Sequence, residues 1–327
     1  STLMRSSAAS DVYKRQMDHI GTGKPWDLSR KRGGMFLLPP FNNSHTGMYR
    51  DRIQALRGIM RFLEQSKEEY IVLMDTNVVC NFDLNDMCRA HTESGADITI
   101  AYHHGRAPRL DDLMTFTFEE NQKVAKIALD PKTSNPVDYA MNIILISKAL
   151  LTRLINNAVS LNQDSFVRDV IQHNLKRLNI YGYEVSGFTS VFDSLQSYYD
   201  ISMSLLDPAN CQELFTRERP VYTKVRDDMP AIYGLGSTVK NSLVADGCSI
   251  DGEVENCILF RGVQIGKGAV VRNSIIMQGT YISEGVHLDC VIADKSVVVR
   301  PHKTVTGTST YPCLLYTSPS PRDRSLS

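Results

Sequence analysis

Hydrophobic residues in the first part of the chain, residues 17–207, alternate between helical and strand-like spacing. Residues 50–67 carry Ile53, Leu56, Met60 and Leu63 at helical intervals, which predicts an amphipathic helix. The apolar run at 70–74 predicts a short strand buried on both faces. Similar patterns predict further helices at 83–95, 147–157 and 164–175, and further strands at 97–102, 124–129 and 140–146. Such alternation is typical of an α/β sheet with helices on its faces.

From about residue 231 the helical spacing disappears, and aliphatic residues recur every six positions. One series is Val270, Ile276, Ile282 and Leu288. Two further series are interleaved with it: Val286, Ile292 and Val298, and Ile265, Val271 and Met277. A six-residue period is typical of a β-helix built from hexapeptide rungs, which we expect to be left-handed. A β-sandwich with accidental spacing is the alternative, and three interleaved series argue against it.

These patterns divide the central part of the chain into three regions. An incomplete α/β domain covers residues 17–207, a linker with some helix covers 208–230, and the β-helix covers 231–312. The linker is assigned from Pro208, Pro220 and Pro230 and from its mixed charge, because proline clusters interrupt regular structure.

The two ends of the chain, residues 1–16 and 313–327, are predicted to be foreign to the protein between them. Residues 11–16 and 313–318 can be encoded by DNA strings that are reverse complements of each other. Natural termini have no reason to mirror each other, so we interpret both ends as a sequencing adapter translated in frame. Segments of this origin are excluded from fold reasoning. On this interpretation the chain is a gene fragment whose protein sequence starts near Met17.

Composition narrows the classes of function. The 36 Lys+Arg residues balance the 36 Asp+Glu residues, whereas a general nucleic-acid-binding protein needs a basic surface. No apolar run of about 18 residues occurs, so no membrane span is expected. Cysteines outside the two ends are scattered with no CxxC pair, which favours reduced structural thiols in a cytoplasmic protein. His103 and His104 have no third ligand at metal-binding spacing, so no metal site is expected.

Several motifs resemble one enzyme family over nearly all of residues 17–312. They are Trp-Asp-Leu at 26–28, Leu-Leu-Pro-Pro at 37–40, the segment 70–84, Ser-Tyr-Tyr at 197–199 and Met-Ser-Leu-Leu at 203–206. Together with an α/β domain followed by a β-helix, they resemble the sugar-1-phosphate nucleotidyltransferases, and among these the bacterial ADP-glucose pyrophosphorylases (glucose-1-phosphate adenylyltransferases). Residues 18–34 resemble in particular the GlgD-type subunit of glycogen synthesis. The resemblance implies a Rossmann-like α/β nucleotidyltransferase domain, here N-terminally truncated, and a C-terminal left-handed β-helix.

The reaction of that family joins glucose 1-phosphate to ATP, making ADP-glucose and releasing pyrophosphate. Its site needs a Gly-rich loop for the triphosphate, carboxylates for Mg²⁺ and a cation for the sugar phosphate. The resemblance implies that the loop lies upstream of Met17. The two metal-binding carboxylates of the family align with Asn77 and Val191, and its sugar-phosphate lysine aligns with Asp130. The motif that closes around the nucleotide aligns with Asp-Arg-Ile-Gln at 51–54.

All four departures remove charge or shape that the reaction needs. We therefore expect a fold that was kept after its active site was lost, with no catalytic residue and no metal or cofactor held by this fragment. Mg²⁺ and ATP belong to the family reaction. Lys132 is left open as a substitute cation. The nearby carboxylates of Asp75 and Asp193 are expected to serve as a strand-end or turn residue and as a helix N-cap.

The resemblance implies a regulatory subunit of glucose-1-phosphate adenylyltransferase in glycogen biosynthesis, working in the cytoplasm with a catalytic subunit in a heterotetramer. The candidates for binding an anionic effector such as a sugar phosphate are Lys24, Arg30, Lys31 and Arg32. A solvated charged loop is the alternative interpretation of this cluster.

Two other functions remain open at this point. One is a catalytically active sugar-1-phosphate nucleotidyltransferase. The other is acyl transfer, because hexapeptide acyltransferases use a histidine base and the β-helix contains His287 and His302.

Overall fold

The structure is a computed structural model that describes residue 17 and residues 19–30, 33–38, 52–130, 133, 135–223 and 227–316. Its contacts divide the chain into two compact units. The first unit contains the described residues of 1–76, 82–186 and 216–226, and the second those of 77–81, 187–215 and 227–327. By their contacts, two segments of the predicted α/β domain therefore group with the β-helix.

The first unit is a mixed sheet with helices packed against it. Its α-helices are α1 (Arg52–Gln65), α2 (Leu84–Ser94) and α3 (Lys148–Ser160). The strands up to residue 191 are β1 (Tyr70–Leu73), β2 (Val78–Cys80), β3 (Ile98–Gly105), β4 (Met114–Phe118), β5 (Val124–Leu129), β6 (Val137–Ser147), β7 (Ile180–Glu184) and β8 (Thr189–Val191). Of these, β2 and β8 belong to the second unit.

Strand β6 holds the sheet of the first unit together. It is antiparallel to β3 along one edge and to β4 and β1 along the other, while β3 pairs in parallel with β7. The order is β5-β4-β6-β3-β7, with β1 beside β6. The expectation that β1 is buried on both faces was wrong, since its residues are half-buried and Tyr70 is exposed. The reason is that β1 lies at the margin of the described sheet, where the helices cover it only in part.

Helices α1 and α2 form where the sequence predicts, and α3 continues to Ser160, past its predicted end at residue 157. Ile53, Leu56 and Leu63 of α1 are buried in the core of the first unit, and Met60 packs against it, as predicted from their spacing. Helix α2 is capped by Asp83, whose side chain accepts a 2.8 Å hydrogen bond from a backbone N–H of the first turn.

Residues 164–175, predicted as one helix, form a π-helical turn at Phe166–Ile171 and a 3-10 turn at Gln172–Asn174. Four strands were not predicted: β4 and β7 of the first unit, and β2 and β8 of the second. Strand β7 contains Gly182, which weakens a strand pattern in a sequence. Here the glycine is required, because a Cβ atom at this position would lie 2.5 Å from the ring of Phe118.

The second unit is built around a parallel β-helix, which confirms the predicted architecture of this region. Its strands are β9 (Ile232–Tyr233), β10 (Thr238–Lys240), β11 (Leu243–Val244), β12 (Ser249–Ile250), β13 (Glu253–Glu255), β14 (Ile258–Leu259), β15 (Gln264–Ile265), β16 (Val270–Arg272), β17 (Ile275–Ile276), β18 (Tyr281–Ile282), β19 (His287–Asp289), β20 (Val291–Ala293), β21 (Val298–Val299), β22 (Thr304–Thr306) and β23 (Cys313–Leu315). They form three parallel sheets: β10-β13-β16-β19-β22, β11-β14-β17-β20-β23 and β9-β12-β15-β18-β21.

The repeat of the β-helix differs from the strict six-residue period that the sequence suggested. In the central coils, Glu253 stacks on Val270 and Val270 on His287, so one coil takes 17 residues. The inward-facing, buried row runs through Val271, Ile276, Ile282 and Leu288. The step from Val271 to Ile276 is one residue shorter than the six-residue steps that follow it. The six-residue series is therefore wrong at its ends: Val298, for example, is 66% exposed.

A tight corner explains why each central coil is one residue shorter than three six-residue rungs. The corner positions of successive coils all have positive φ, between 42° and 52°, and they are Asn241, Asn256, Asn273 and Cys290. Asparagine is the residue after glycine that best tolerates this left-handed conformation. The amides also stack: Asn241 donates to Asn256 at 2.7 Å, and Asn256 donates to Asn273 at 3.3 Å. The corner thus sets both the coil length and the register.

Two further helices belong to the second unit. They are α4 (Leu195–Ser204) and α5 (Pro208–Leu214), the latter inside the predicted linker. At the other end of the unit, β23 pairs with β20. That strand lies in the segment assigned to adapter sequence, and the assigned origin of this segment stays a prediction. Among the described residues, no helix is long and apolar enough to cross a membrane.

Truncating a valine to alanine should lower the free energy of unfolding more at an inward position of the β-helix than at an outward one. Val271→Ala removes buried methyl groups from the centre of the solenoid and should lower the free energy of unfolding by about 2 kcal/mol. Val298→Ala is the matched control on an outward position and should change it by less than about 0.5 kcal/mol. Urea denaturation followed by circular dichroism measures both, and equal losses would contradict the assigned register.

Candidate functional site

The two positions aligned with the metal-binding carboxylates of the family are brought together in the second unit. Strands β2 and β8 form an antiparallel ribbon in which Val78 pairs with Val191. Asn77 precedes this pair, and its carbonyl accepts a 2.8 Å hydrogen bond from the N–H of Phe192. Asn77 and Val191, which were aligned from separate motifs, thus lie on one ribbon.

Neither aligned position of the ribbon carries a charged side chain. The amide nitrogen of Asn77 donates to the carbonyl of Phe192 at 3.3 Å, and the side chain of Val191 is buried. Burial raises the pKa of the Cys80 thiol on the same ribbon to about 11, so this group is neutral at physiological pH. Mg²⁺ sites in phosphoryl chemistry rely on carboxylates, which these residues do not supply. No group of three His, Cys, Asp or Glu residues able to hold a metal occurs in the described part of the chain.

The neighbouring carboxylates have other partners. Asp75, just past the end of β1, is ion-paired with Arg52 in the first unit. In the second unit, Asp193 accepts a 2.8 Å hydrogen bond from the hydroxyl of Ser194. The expectation that Asp193 is the N-cap of the following helix was wrong. Ser194 caps α4 instead, because its side chain and that of Ser197 form a reciprocal capping box.

Asp130, which was aligned with the family's lysine for the sugar phosphate, joins the two strands at the open end of the β4–β5 hairpin. Its N–H donates to the carbonyl of Leu113, and its carboxylate accepts from the N–H of Leu113, both at 3.0 Å. Its φ of 48° suits an aspartate better than a lysine. Lys132, considered as a substitute cation, lies outside the described residues. The carboxylate of Asp130 therefore has a structural role at a position where the reaction needs a cation.

Of the stretch aligned with the nucleotide-closing motif, residues 51–54, the described residues 52–54 form the start of α1. Asp51 lies outside the described residues. Arg52 extends its guanidinium over the ring of Phe166, 5.5 Å from the centroid, and Ile53 is buried in the core. Bulky side chains with intramolecular partners thus occupy a stretch where the family reaction requires backbone to approach phosphate.

The basic cluster near the start of the chain lies in a folded loop. Trp26 anchors it by donating a 3.1 Å hydrogen bond from its indole nitrogen to the carbonyl of Tyr222. Gly34 is required in the loop, because a Cβ atom would lie 2.5 Å from the carbonyl oxygens of Leu28 and Arg30. Arg30 is exposed and ion-paired with the exposed Asp27. Of the other effector candidates, Lys24 opens a 3-10 turn, and Lys31 and Arg32 lie outside the described residues.

Within the second unit, α4 connects the ribbon with the β-helix. The ring of Tyr198 lies 5.7 Å from that of Phe192, which follows β8. The hydroxyl of Tyr199 donates a 2.6 Å hydrogen bond to the carbonyl of Asn273 at the β-helix corner. Burial raises the pKa of Tyr199, which keeps this hydroxyl protonated. No pattern in the sequence predicted this connection, although Ser-Tyr-Tyr at 197–199 was one of the family motifs.

Comparison with known proteins agrees with this architecture. The family model "GlmU-like, C-terminal hexapeptide" matches residues 232–310, which is the β-helix. The chain is 34% identical to the glycogen biosynthesis protein GlgD of Bacillus subtilis over 93% of its own length and 78% of that protein. The chain belongs to the GlgD family. The resemblance inferred from the motifs is thereby confirmed.

This GlgD-family chain is also similar in sequence to another GlgD protein and to an enzyme. It is 37% identical to the GlgD protein of Geobacillus stearothermophilus, over 79% of the chain and 66% of the relative. It is 28% identical to the glucose-1-phosphate adenylyltransferase of Clostridium perfringens strain 13, over 81% of the chain and 68% of the enzyme. The fold is therefore shared with an enzyme family, while the residues at the aligned catalytic positions differ as described above.

The ribbon predicts how the chain responds to Mg²⁺. In the wild type, Mg²⁺ has no carboxylate pair to bind at Asn77 and Val191, so it should raise the melting temperature no more than KCl of equal ionic strength. Asn77→Asp/Val191→Asp restores the two carboxylates that the family has at these aligned positions, and Mg²⁺ at 100 times its Kd should then stabilise the fold by about 2.7 kcal/mol. Thermal unfolding with and without Mg²⁺ measures this.

Asn77→Ala/Val191→Ala is the matched control, because it disturbs the same two positions and adds no charge. A Mg²⁺-specific stabilisation of the wild type or of this control would show that other residues bind the metal.

Proposed function

We propose that this chain is a regulatory, non-catalytic subunit that acts with a glucose-1-phosphate adenylyltransferase in glycogen biosynthesis. In this proposal the partner converts ATP and glucose 1-phosphate into ADP-glucose and pyrophosphate, and it supplies the Mg²⁺ and nucleotide sites. The GlgD-family chain changes the rate of the partner or its response to effectors.

One observation carries the proposal. The ribbon that carries the two aligned metal positions of the family presents an amide whose nitrogen donates to a carbonyl, and a buried valine. Phosphoryl transfer depends on neutralising charge as it develops, and neither group supplies the negative charge with which a carboxylate holds the Mg²⁺ that does so. The charge reversal at Asp130 supports the same conclusion, because its carboxylate would repel a sugar phosphate.

Regulation without catalysis requires contact with the catalytic partner. A regulatory subunit changes activity by binding two states of its partner with different affinity. We propose a heterotetramer in which the β-helix provides contact surface, since a solenoid presents long regular faces and strand edges. Neither a nucleic acid nor a membrane has a place in this proposal.

The decisive experiment assays pyrophosphate release from ATP and glucose 1-phosphate with this chain alone, with a catalytic homologue alone, and with the two mixed. We expect no activity above background from the chain alone, and a changed rate or effector response in the mixture together with co-elution. Substantial activity of the chain alone would overturn the proposal in favour of an active nucleotidyltransferase. No effect on the homologue and no co-elution would overturn the regulatory role.

We further propose that the basic loop binds an anionic effector such as a sugar phosphate, with Lys24, Arg30, Lys31 and Arg32 as its cations. Two described features support this. The loop is fixed by Trp26 and by the close approach at Gly34, so the exposed Lys24 and Arg30 lie on a defined surface. The pairing of Arg30 with Asp27 is exposed, and exposed ion pairs contribute only about 0–1 kcal/mol, so an anion can compete for the guanidinium.

Removal of two loop cations tests this site. Lys24→Ala/Arg30→Ala should weaken the effector response of the mixture about tenfold or more, because charged hydrogen bonds contribute about 1.5–3 kcal/mol each. Arg57→Ala/Arg61→Ala is the matched control, since it removes the same charge from exposed positions of α1. An unchanged effector response in the first variant, or an equal loss in both, would contradict the assignment.

A further inference from the structure

A pocket that the proposed function does not use lies beside strand β7 in the first unit. Its volume is about 440 Å³. Its walls come from α2, from the start of β3, from the turn between β4 and β5, and from β7 itself. The polar and aromatic residues that line it are Glu93, Ser94, Thr99, Asn121, Gln122, Tyr181, Tyr183 and Glu184.

This pocket is distinct from the aligned catalytic positions of the first unit. The turn that contributes Asn121 and Gln122 precedes β5, whereas Asp130 follows it, so the two features lie at opposite ends of that strand. None of Lys24, Arg30 or Asp130 lines the pocket. It therefore neither duplicates the effector loop nor belongs to the former sugar-phosphate position.

Gln122 is held in the pocket wall at a conformational cost. It has a φ of 66°, and Asn121 before it has a φ of 69°. Two consecutive left-handed residues in a hairpin turn favour glycine at the second position, and here that position is a glutamine. Its side-chain carbonyl accepts a 2.8 Å hydrogen bond from the hydroxyl of Tyr102, which is buried.

The hydroxyl of Tyr102 fixes the orientation of that amide. Burial, with the charge of Glu184 nearby, raises the pKa of Tyr102 to about 12, so the hydroxyl stays protonated and donates. Its second acceptor is the carboxylate of Glu184, at 3.5 Å. The carbonyl of Gln122 is thus occupied, and its amide nitrogen has no partner among the described residues. That N–H₂ group is a fixed donor in the pocket wall.

The wall behind β7 is closely packed. A Cβ atom on Gly182 would lie 2.5 Å from the ring of Phe118 and 2.9 Å from that of Tyr102. Only glycine allows these rings to pack against the strand here. On the two sides of this glycine, Tyr181 and Tyr183 line the pocket with half-buried aromatic rings.

The chemistry of the lining selects the class of ligand. Glu93 and Glu184 provide carboxylate acceptors, Asn121 and Gln122 provide amide donors, and no Lys or Arg lines the pocket. Phosphate-bearing ligands would be repelled by the two carboxylates. A simple ammonium ion would use the acceptors and leave the amide donors unpaired. A polyhydroxylated neutral ligand can both donate and accept, and aromatic rings can cover its C–H faces.

We propose that this pocket binds a neutral sugar, such as a glucose unit of an α-glucan. The carboxylates of Glu93 and Glu184 accept from sugar hydroxyls, the amide nitrogen of Gln122 donates to one, and Tyr181 or Tyr183 packs against the ring. This inference goes beyond the regulatory role and does not rest on it, since it concerns binding by this chain alone.

The test titrates the chain, without any catalytic partner, with maltose and with glucose at millimolar concentrations, using isothermal calorimetry and tyrosine fluorescence. We expect saturable binding that Gln122→Ala and the near-isosteric Glu184→Gln each weaken about tenfold or more, as for loss of a hydrogen bond to an oriented or charged group. Glu119→Gln is the matched control, because this exposed glutamate adjoins the same turn and does not line the pocket. It should bind as the wild type does.

Several outcomes would overturn the proposal. The first is no saturable sugar binding by the wild type, and the second is equal binding by the wild type and both pocket variants. The third is binding of the diamine cadaverine in place of maltose, which would show that the pocket prefers an ammonium ion. The circular dichroism spectrum and melting temperature of each variant must match the wild type; if Gln122→Ala fails this check, Glu184→Gln alone decides. Because no partner is present, a negative result here leaves the pyrophosphate assay of the regulatory role unaffected.

Discussion

The pairing of β2 with β8 is the contact on which the candidate site depends. It joins Asn77 to Phe192 across 115 positions of sequence, so no local preference could create it. The same ribbon is followed by α4, which places the hydroxyl of Tyr199 on the corner of the β-helix. Positions that would hold a metal in an active relative are therefore part of the same packed unit as the β-helix.

Positions that no longer fit the family reaction serve the structure instead. Asn77 bonds across the ribbon, Val191 is buried there, Asp130 joins the open end of a hairpin, and Arg52 pairs with Asp75. The bonds of Asn77 and the burial of Val191 satisfy groups that would be costly to leave unpaired or solvated inside the fold. Under the proposed function, a chain with such replacements keeps its stability without the chemistry of the family. That is what a subunit needs if it is retained for its contacts with an enzyme.

The β-helix shows how a single corner controls a long repeat. Left-handed residues at Asn256, Asn273 and Cys290 shorten each central coil to 17 residues, and the inward row follows that length. The stacked amides add hydrogen bonds along the solenoid axis and resist slippage between coils. At Cys290 the amide series ends, and Asn273 donates instead to the carboxylate of Asp289.

The sequence by itself determined the elements with strong periodicity and the family. Helices α1 and α2 and the parallel β-helix follow from local spacing and residue type, the family follows from its motifs, and the changed catalytic positions are what the resemblance implies. Only the tertiary structure decided the mixed sheet around β6, the ribbon between Asn77 and Val191, and the pocket beside β7. Hydrophobic period reports which face of an element is buried, but pairing partners and close approaches such as that at Gly182 depend on residues distant in sequence.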